Sequence, residues 1–122
     1  MESPHKGKTG LVRIWNAFNY SLAGLRAAIR QEPAFRQELF LAMLLVPTAL
    51  LIGVSATSKA LMIASVLLVL IVELLNSAIE AAVDHTSLEQ HPLAKRAKDI
   101  GSAAVLLSLL NVMVVWLLIL FG

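Results

Sequence analysis

Residues 72–84, VELLNSAIEAAVD, close a stretch that begins Ala60-Leu61-Met62-Ile63 and is otherwise almost wholly apolar. Four polar residues interrupt it: Glu73, Asn76, Glu80 and Asp84. Steps of three, four and four residues advance a helix by about 300°, 400° and 400°, so these side chains fall within roughly 80° of arc. They form one stripe, confined to one end of the helix. A charged side chain at the bilayer centre costs about 2.5–3.5 kcal/mol on insertion scales, so such a stripe belongs at the membrane edge, where water, ions or a ligand offset the cost. The stretch therefore reads as a membrane helix that carries its chemistry at one boundary.

Two neighbouring stretches support that reading. Leu39 to Ser58 holds 20 residues without a charge, and Ile100 to Gly122 holds 23. A helix of roughly 20 apolar residues crosses the ~30 Å hydrocarbon layer. The chain has 122 residues, 58% of them hydrophobic, with a mean hydropathy of +0.79, above the range of ordinary soluble domains. The expectation is a single all-α membrane domain of residues 1–122. Within it, 1–12 form a polar tail, 13–32 a surface helix, about 34–53 the first span and about 58–83 the second. Residues 84–94 form a cytoplasmic loop, and about 95–120 the third span.

Basic residues orient the helices. Lys6, Lys8, Arg13, Arg26, Arg30 and Arg36 precede the first span, and Lys95, Arg96 and Lys98 lie between the second and third. Lys59 alone falls between the first and second. Nine against one predicts a cytoplasmic N-terminus and an external C-terminus. The same scatter argues against nucleic acid as a partner, because no dense basic patch forms. The absence of cysteine excludes disulfides and thiolate metal sites. No short apolar core stands near residue 1, so no cleaved signal is expected.

The segment ahead of the first span is amphipathic. Ile14, Phe18, Leu22, Leu25 and Ile29 share a narrow arc with Trp15 beside it, while Asn16, Asn19, Arg26 and Arg30 lie opposite. That pattern describes a helix lying in the membrane surface, which by itself requires only an anchor. Pro33 disfavours helical geometry at Glu32 and predicts a bend there, and Pro47 is expected to kink the first span. Gly7-Lys8-Thr9 resembles a fragment of a phosphate loop, but Glu2 stands where the earlier glycine belongs, so it carries no weight. His5, His85 and His91 have no metal-ligand spacing. Trp116 reads as an interface anchor, and Asn111 as a bond to another helix.

Around the stripe the charges concentrate. Counting back 20 residues from Glu73 reaches the turn at 53–58, placing Glu73 at the cytoplasmic edge with Glu80 and Asp84 beyond it. Glu32, Arg36 and Glu38 end the surface segment, and Lys95, Arg96, Lys98, Asp99 and Ser102 open the third span. Carboxylates and cations at one depth suit either a Mg²⁺-polyphosphate site or a structural ion-pair network. In the first case Glu73 is the candidate general base.

At this point the residues are similar to those of a known family. GLRAA (24–28), EPAFRQE (32–38), VELLNSAIEAAVD (72–84) and RAKDIGSAAVL (96–106) together resemble the bacterial integral-membrane diacylglycerol kinases, with the likeness running from about Arg13 to Trp116. The resemblance implies a homotrimer of three-span subunits, each with an N-terminal amphipathic surface helix, and active sites between subunits. It implies transfer of the γ-phosphoryl group of ATP, with Mg²⁺, to the hydroxyl of diacylglycerol, giving phosphatidic acid. Glu73 would be the general base, with Asn76 supporting it, and Glu32 and Glu80 would hold the metal ion. Arg13, Tyr20, Glu32, Glu80, Glu89, Gln90, His91, Lys98 and Asp99 would bind ATP. The lipid would meet Ser21, Arg26, Ala27, Ala28, Phe35, Arg36, Gln37, Glu38, Glu73 and Ser102. Departures from the familiar pattern fall at Asn16, Leu22, Leu51, Lys59 and Asn111, outside the polar stripe.

Two other functions compete. Related Gram-positive enzymes phosphorylate undecaprenol, but GLRAA and AFRQE resemble the diacylglycerol branch more closely. A small oligomeric channel or transporter would need polar groups through the full bilayer depth, and residues 60–72 offer only Ser65. A structural subunit with mutually paired charges is the third reading.

Overall fold

The computed structural model describes residues 10–86 and 91–122. They form four helices: α1 (Gly10–Gln31), α2 (Pro33–Leu51), α3 (Ala56–Thr86) and α4 (Pro92–Phe121). The last three are long and apolar enough to cross a membrane. Helix α3 is the middle element, packing on α2 and on α4, while α1 leans on α2.

The core follows a seven-residue rhythm. On α3 the inward positions are Met62, Val66, Val69, Glu73, Asn76, Glu80 and Val83, separated by alternating steps of four and three. On α4 they are Ala94, Lys98, Gly101, Val105, Ser108, Val112, Val115 and Ile119, with the same alternation. On α2 they are Phe35, Glu38, Ala42, Leu45 and Ala49. Alternating three- and four-residue steps keep one face of each helix against its neighbour, as in left-handed helix packing. Met62 and Ala49 are completely enclosed. Small residues at Ala42, Ala49, Ser65, Gly101 and Ser108 allow backbones to approach, which suits helices that gain little from a hydrophobic effect inside lipid.

The helix ends differ from the sequence-based bounds for local reasons. Helix α1 starts at Gly10, within the expected tail. It ends where Glu32 turns extended (φ −115°, ψ 98°) ahead of Pro33, the bend that proline predicts. Arg36 reaches back from α2 and donates from Nη1 to the carbonyls of Ile29 (2.9 Å) and Arg30 (3.1 Å), closing the orphaned end of α1. Helix α2 runs through Pro47 to Leu51. The turn after it is tighter than 53–58: Ser55 Oγ accepts from the Ser58 amide at 3.1 Å and α3 begins at Ala56. Lys59 Nζ donates to the Leu50 carbonyl at 2.8 Å and ties the end of α2 to the start of α3.

The loop expected over 84–94 is shorter. Helix α3 continues to Thr86, and α4 opens at Pro92, where proline is well placed in a first helical turn. His91 caps that turn, its Nδ1 accepting from the Leu93 amide at 3.1 Å.

At the other end of the bundle Trp116 donates from Nε1 to the Met62 carbonyl at 3.2 Å, joining α4 to α3. Within one chain it is Trp116 that makes a bond between helices in this part of α4. Asn111 itself faces outward without a hydrogen bond to any described residue. Trp116→Phe should therefore cost about 0.6–1.5 kcal/mol of bundle stability. Thermal inactivation in detergent micelles checks this, and an unchanged midpoint would show that the bond contributes nothing.

Candidate active site

The seam between α2, α3 and α4 changes character along its length. From Met62 to Val69 it is mainly apolar; from Glu73 onward the same inward positions carry Glu, Asn and Glu. Glu73 and Asn76 are only 6% and 8% exposed. Asn76 Nδ2 donates to Glu80 Oε1 at 3.1 Å, one turn further on. From α2, Glu38 occupies the seam position between Phe35 and Ala42, and its Oε2 is buried with no hydrogen-bond partner among the described residues. Glu73 lies close enough to Glu80 and Glu32 to repel them, and Glu38 close enough to repel Glu73. Four carboxylates from α2, α3 and the α1–α2 junction thus gather at one end of the bundle.

The nearby cations pair elsewhere, and among the described residues only Lys98 stands near enough to Glu80 to attract it. Lys98 pairs with Asp84 at 2.6 Å across α3 and α4, and Lys95 with Asp99 at 2.6 Å along α4. Both pairs are largely solvent-exposed, where such contacts contribute about 0–1 kcal/mol. Arg36 is occupied by the carbonyls that end α1. Among the described residues, no salt bridge reaches Glu32, Glu38, Glu73 or Glu80. Glu73 is buried and Glu32, Glu38 and Glu80 are half-buried, and holding carboxylates away from water without a paired counter-charge is costly. Among the described residues no three acidic or histidine side chains converge as a ready-made metal cage. Mg²⁺ commonly needs only one or two protein carboxylates, its other ligands being water and substrate phosphates. Glu32, whose carboxylate makes no capping bond, and Glu80 fit that requirement.

Beside the carboxylates a cleft of about 540 Å³ opens between α1 and α3, lined by Ser21, Gly24, Ala27, Ala28, Glu32 and Ser77 among others. Three expected lipid contacts, Ser21, Ala27 and Ala28, are thus brought together with Glu32. A second groove of about 180 Å³ runs from Glu38 along Leu41, Leu45, Val66 and Met113 and is almost entirely apolar.

Other expected site residues stand elsewhere. Phe35 is 2% exposed and belongs to the α2 core, so in this arrangement it is closed to a lipid. Arg13, Tyr20, Arg26, Gln37 and Ser102 are exposed on their helices. Lys98 and Asp99 already hold partners, and His91 serves as a cap. Glu89 and Gln90 lie outside the described residues. The confrontation of Glu38 with Glu73 was not anticipated from the sequence. Its trace is the spacing Phe35, Glu38, Ala42, which puts a carboxylate on the buried face of α2.

Comparison with known proteins places the chain by its sequence. The family model described as prokaryotic diacylglycerol kinase matches residues 19–120. A protein named diacylglycerol kinase from Pseudomonas aeruginosa is 60% identical over 98% of both chains. One of the same name from Haemophilus influenzae is 50% identical over 93% of this chain and 96% of its own. A third, from Escherichia coli K12, is 50% identical over 93% of each.

Proposed function

The chain belongs to the prokaryotic diacylglycerol kinase family and is a multi-pass bacterial membrane lipid kinase, and we propose that its reaction is transfer of the ATP γ-phosphoryl group to the free hydroxyl of diacylglycerol, giving phosphatidic acid. The observation that carries the reading is the group of carboxylates around the buried Glu73, which no salt bridge among the described residues reaches. Phosphoryl transfer needs positioning and charge neutralisation more than covalent help from the protein. A few polar side chains at a membrane boundary can supply both.

In this reading Glu73 accepts the proton of the lipid hydroxyl as its oxygen bonds to the γ-phosphorus. The bond to the β–γ bridging oxygen breaks, and ADP leaves. Asn76 holds Glu80 in place through its amide. Glu32 and Glu80 hold Mg²⁺, which when bound neutralises charge on the phosphates. Arg13, Tyr20, Lys98 and Asp99, with Glu89, Gln90 and His91 from the α3–α4 connection, bind the nucleotide. For that task Lys98 and Asp99 must exchange their exposed intramolecular partners for the ligand, at little cost. The cleft beside Ser21, Ala27 and Ala28 receives the glycerol end of the lipid.

The apolar stripe of α1, with Leu11, Ile14, Trp15 and Phe18 exposed, lies in the cytoplasmic membrane surface. The basic residues put the carboxylate end of the bundle inside the cell and the C-terminus outside. The assembly is a homotrimer whose sites form between neighbouring copies.

A kinase assay with purified protein, Mg-ATP and two lipids tests the substrate. Diacylglycerol is expected to be phosphorylated and undecaprenol not, or only slowly. Strong undecaprenol turnover with none on diacylglycerol would reverse the assignment, and ion flux through liposomes without ATP turnover would replace it with a channel.

A further inference from the structure

Gly101 stands in the α4 seam directly across from Asn76, and it is the space there that requires a glycine. Among the described residues no glycine has a positive φ, so Gly101 does not serve an unusual backbone conformation. A helix-interior glycine is less stable than alanine, and something else must justify it. A Cβ at position 101 would overlap Asn76 Oδ1 and come within 3.3 Å of Asn76 Cγ. Outside the helix's own backbone, the three nearest atoms that this Cβ would meet all belong to Asn76, whereas a Cβ at Gly10, Gly24 or Gly53 would meet nothing within 4 Å.

Asn76 has little freedom to yield. Its side chain is buried, its Nδ2 is engaged by Glu80 Oε1 at 3.1 Å, and its Oδ1 has no conventional donor. The oxygen instead lies against the Gly101 Cα, whose C–H is a weak donor. Turning the amide over would set Oδ1 against the Glu80 carboxylate, oxygen to oxygen. Rotating it away would break the bond to Glu80. Only one orientation satisfies both neighbours, and the missing side chain on α4 is what admits it.

We propose that Gly101 is a positioning residue for phosphoryl transfer: by leaving room for the Asn76 amide it sets the direction of Glu80, and through Glu80 the grip on the metal-nucleotide. This rests on the reading of Glu80 as a metal-holding residue. The signal is absent from α4 taken alone, where Gly101 resembles any small residue that lets membrane helices approach. Only the facing amide separates the two roles.

The test uses the full chain, assembled in detergent micelles, as Gly101→Ala, Asn76→Ala and the double variant. Gly101→Ala is expected to raise the Mg²⁺ concentration for half-maximal rate, and the KM for Mg-ATP, by about 10–100-fold, the range for losing a ligand's supporting partner. The KM for diacylglycerol should stay unchanged. In the Asn76→Ala background, where the space is reopened, Gly101→Ala should be silent in Mg-ATP kinetics and should hold or raise thermal stability, because alanine is the better helix former. Losses that multiply instead would overturn the proposal, and this background keeps it testable if the single variant does not fold.

Asparagine-selective ¹⁵N labelling supplies the second readout, with the Asn76 side-chain amide assigned by its disappearance in Asn76→Ala. In Gly101→Ala that resonance should move, and an unmoved resonance overturns the steric contact. A moved resonance with unchanged Mg-ATP kinetics also overturns the positioning role. Glu80→Gln, measured separately, then reports whether the metal assignment has failed with it or stands alone.

Discussion

Glu73→Gln is expected to abolish most phosphoryl transfer, lowering kcat by about 10²–10⁴-fold, the range of a general base, while the bundle stays folded. The substitution keeps the size, shape and burial of the side chain and removes only its ability to take a proton. Stability should not suffer. Glu73 is buried beside Glu38 and within repelling distance of Glu80 and Glu32, and neutralising it relieves both that repulsion and the cost of burying a charge. An active-site group that weakens the fold while serving the reaction is a common trade. Thermal inactivation of binding and oligomeric state should thus be unchanged or shifted upward, and the KM values for ATP and lipid should change little. The decisive measurement is turnover of diacylglycerol and ATP by purified variant protein. A normal rate would remove Glu73 from the chemistry and leave the carboxylate group without its central role.

Glu80→Gln is expected to act differently, on the metal instead of on the proton. The amide keeps an oxygen for the bond from Asn76 Nδ2, so local packing survives, but a negatively charged ligand is lost. The Mg²⁺ concentration for half-maximal rate should rise by at least about 100-fold, the upper end of what losing a ligand's mere supporting partner costs. Glu32→Gln should move the same quantity in the same direction. Its carboxylate makes no capping bond at the α1–α2 junction, so its loss should not loosen the fold. A titration of rate against Mg²⁺ at fixed total ATP separates these variants from Glu73→Gln, whose Mg²⁺ dependence should be normal. If neither Glu80→Gln nor Glu32→Gln shifts the curve, both leave the metal role.

These expectations divide along the helices. Residues along one helix are related by rise and turn alone, which any reader of the chain can compute. Hence Glu73, Asn76 and Glu80 were legible as one stripe, and α3 places all three in its inward seam. Asp84, counted in the same stripe, sits one position off that seam and pairs with Lys98 instead. The steps of three, four and four drift away from the three-four alternation that the packed helices follow. Apolar length likewise made the three spans legible, because crossing hydrocarbon demands a run of about 20 residues whatever the neighbours are.

What faces what was not legible. That Glu38 confronts Glu73 depends on the register of α2 against α3, which the short turn before Ser55 and the Lys59–Leu50 bond help to set. That Gly101 accommodates Asn76 depends in the same way on the register of α4. A stripe of carboxylates is also compatible, as sequence, with a network of paired charges. Only the fold directs Lys98 and Arg36 to other partners, whereas Lys95 and Asp99 are neighbours along α4 itself.

By itself, then, the amino-acid order determined that this chain crosses a membrane three times and keeps its acidic groups at one end. Hydropathy and helical period are properties of a single strand of residues and need no partner to be read. The tertiary structure alone decided that those acids meet each other with no salt bridge to any of them among the described residues. Such meetings are set by how side chains of unequal size interlock between helices, and no period within one helix encodes that distance.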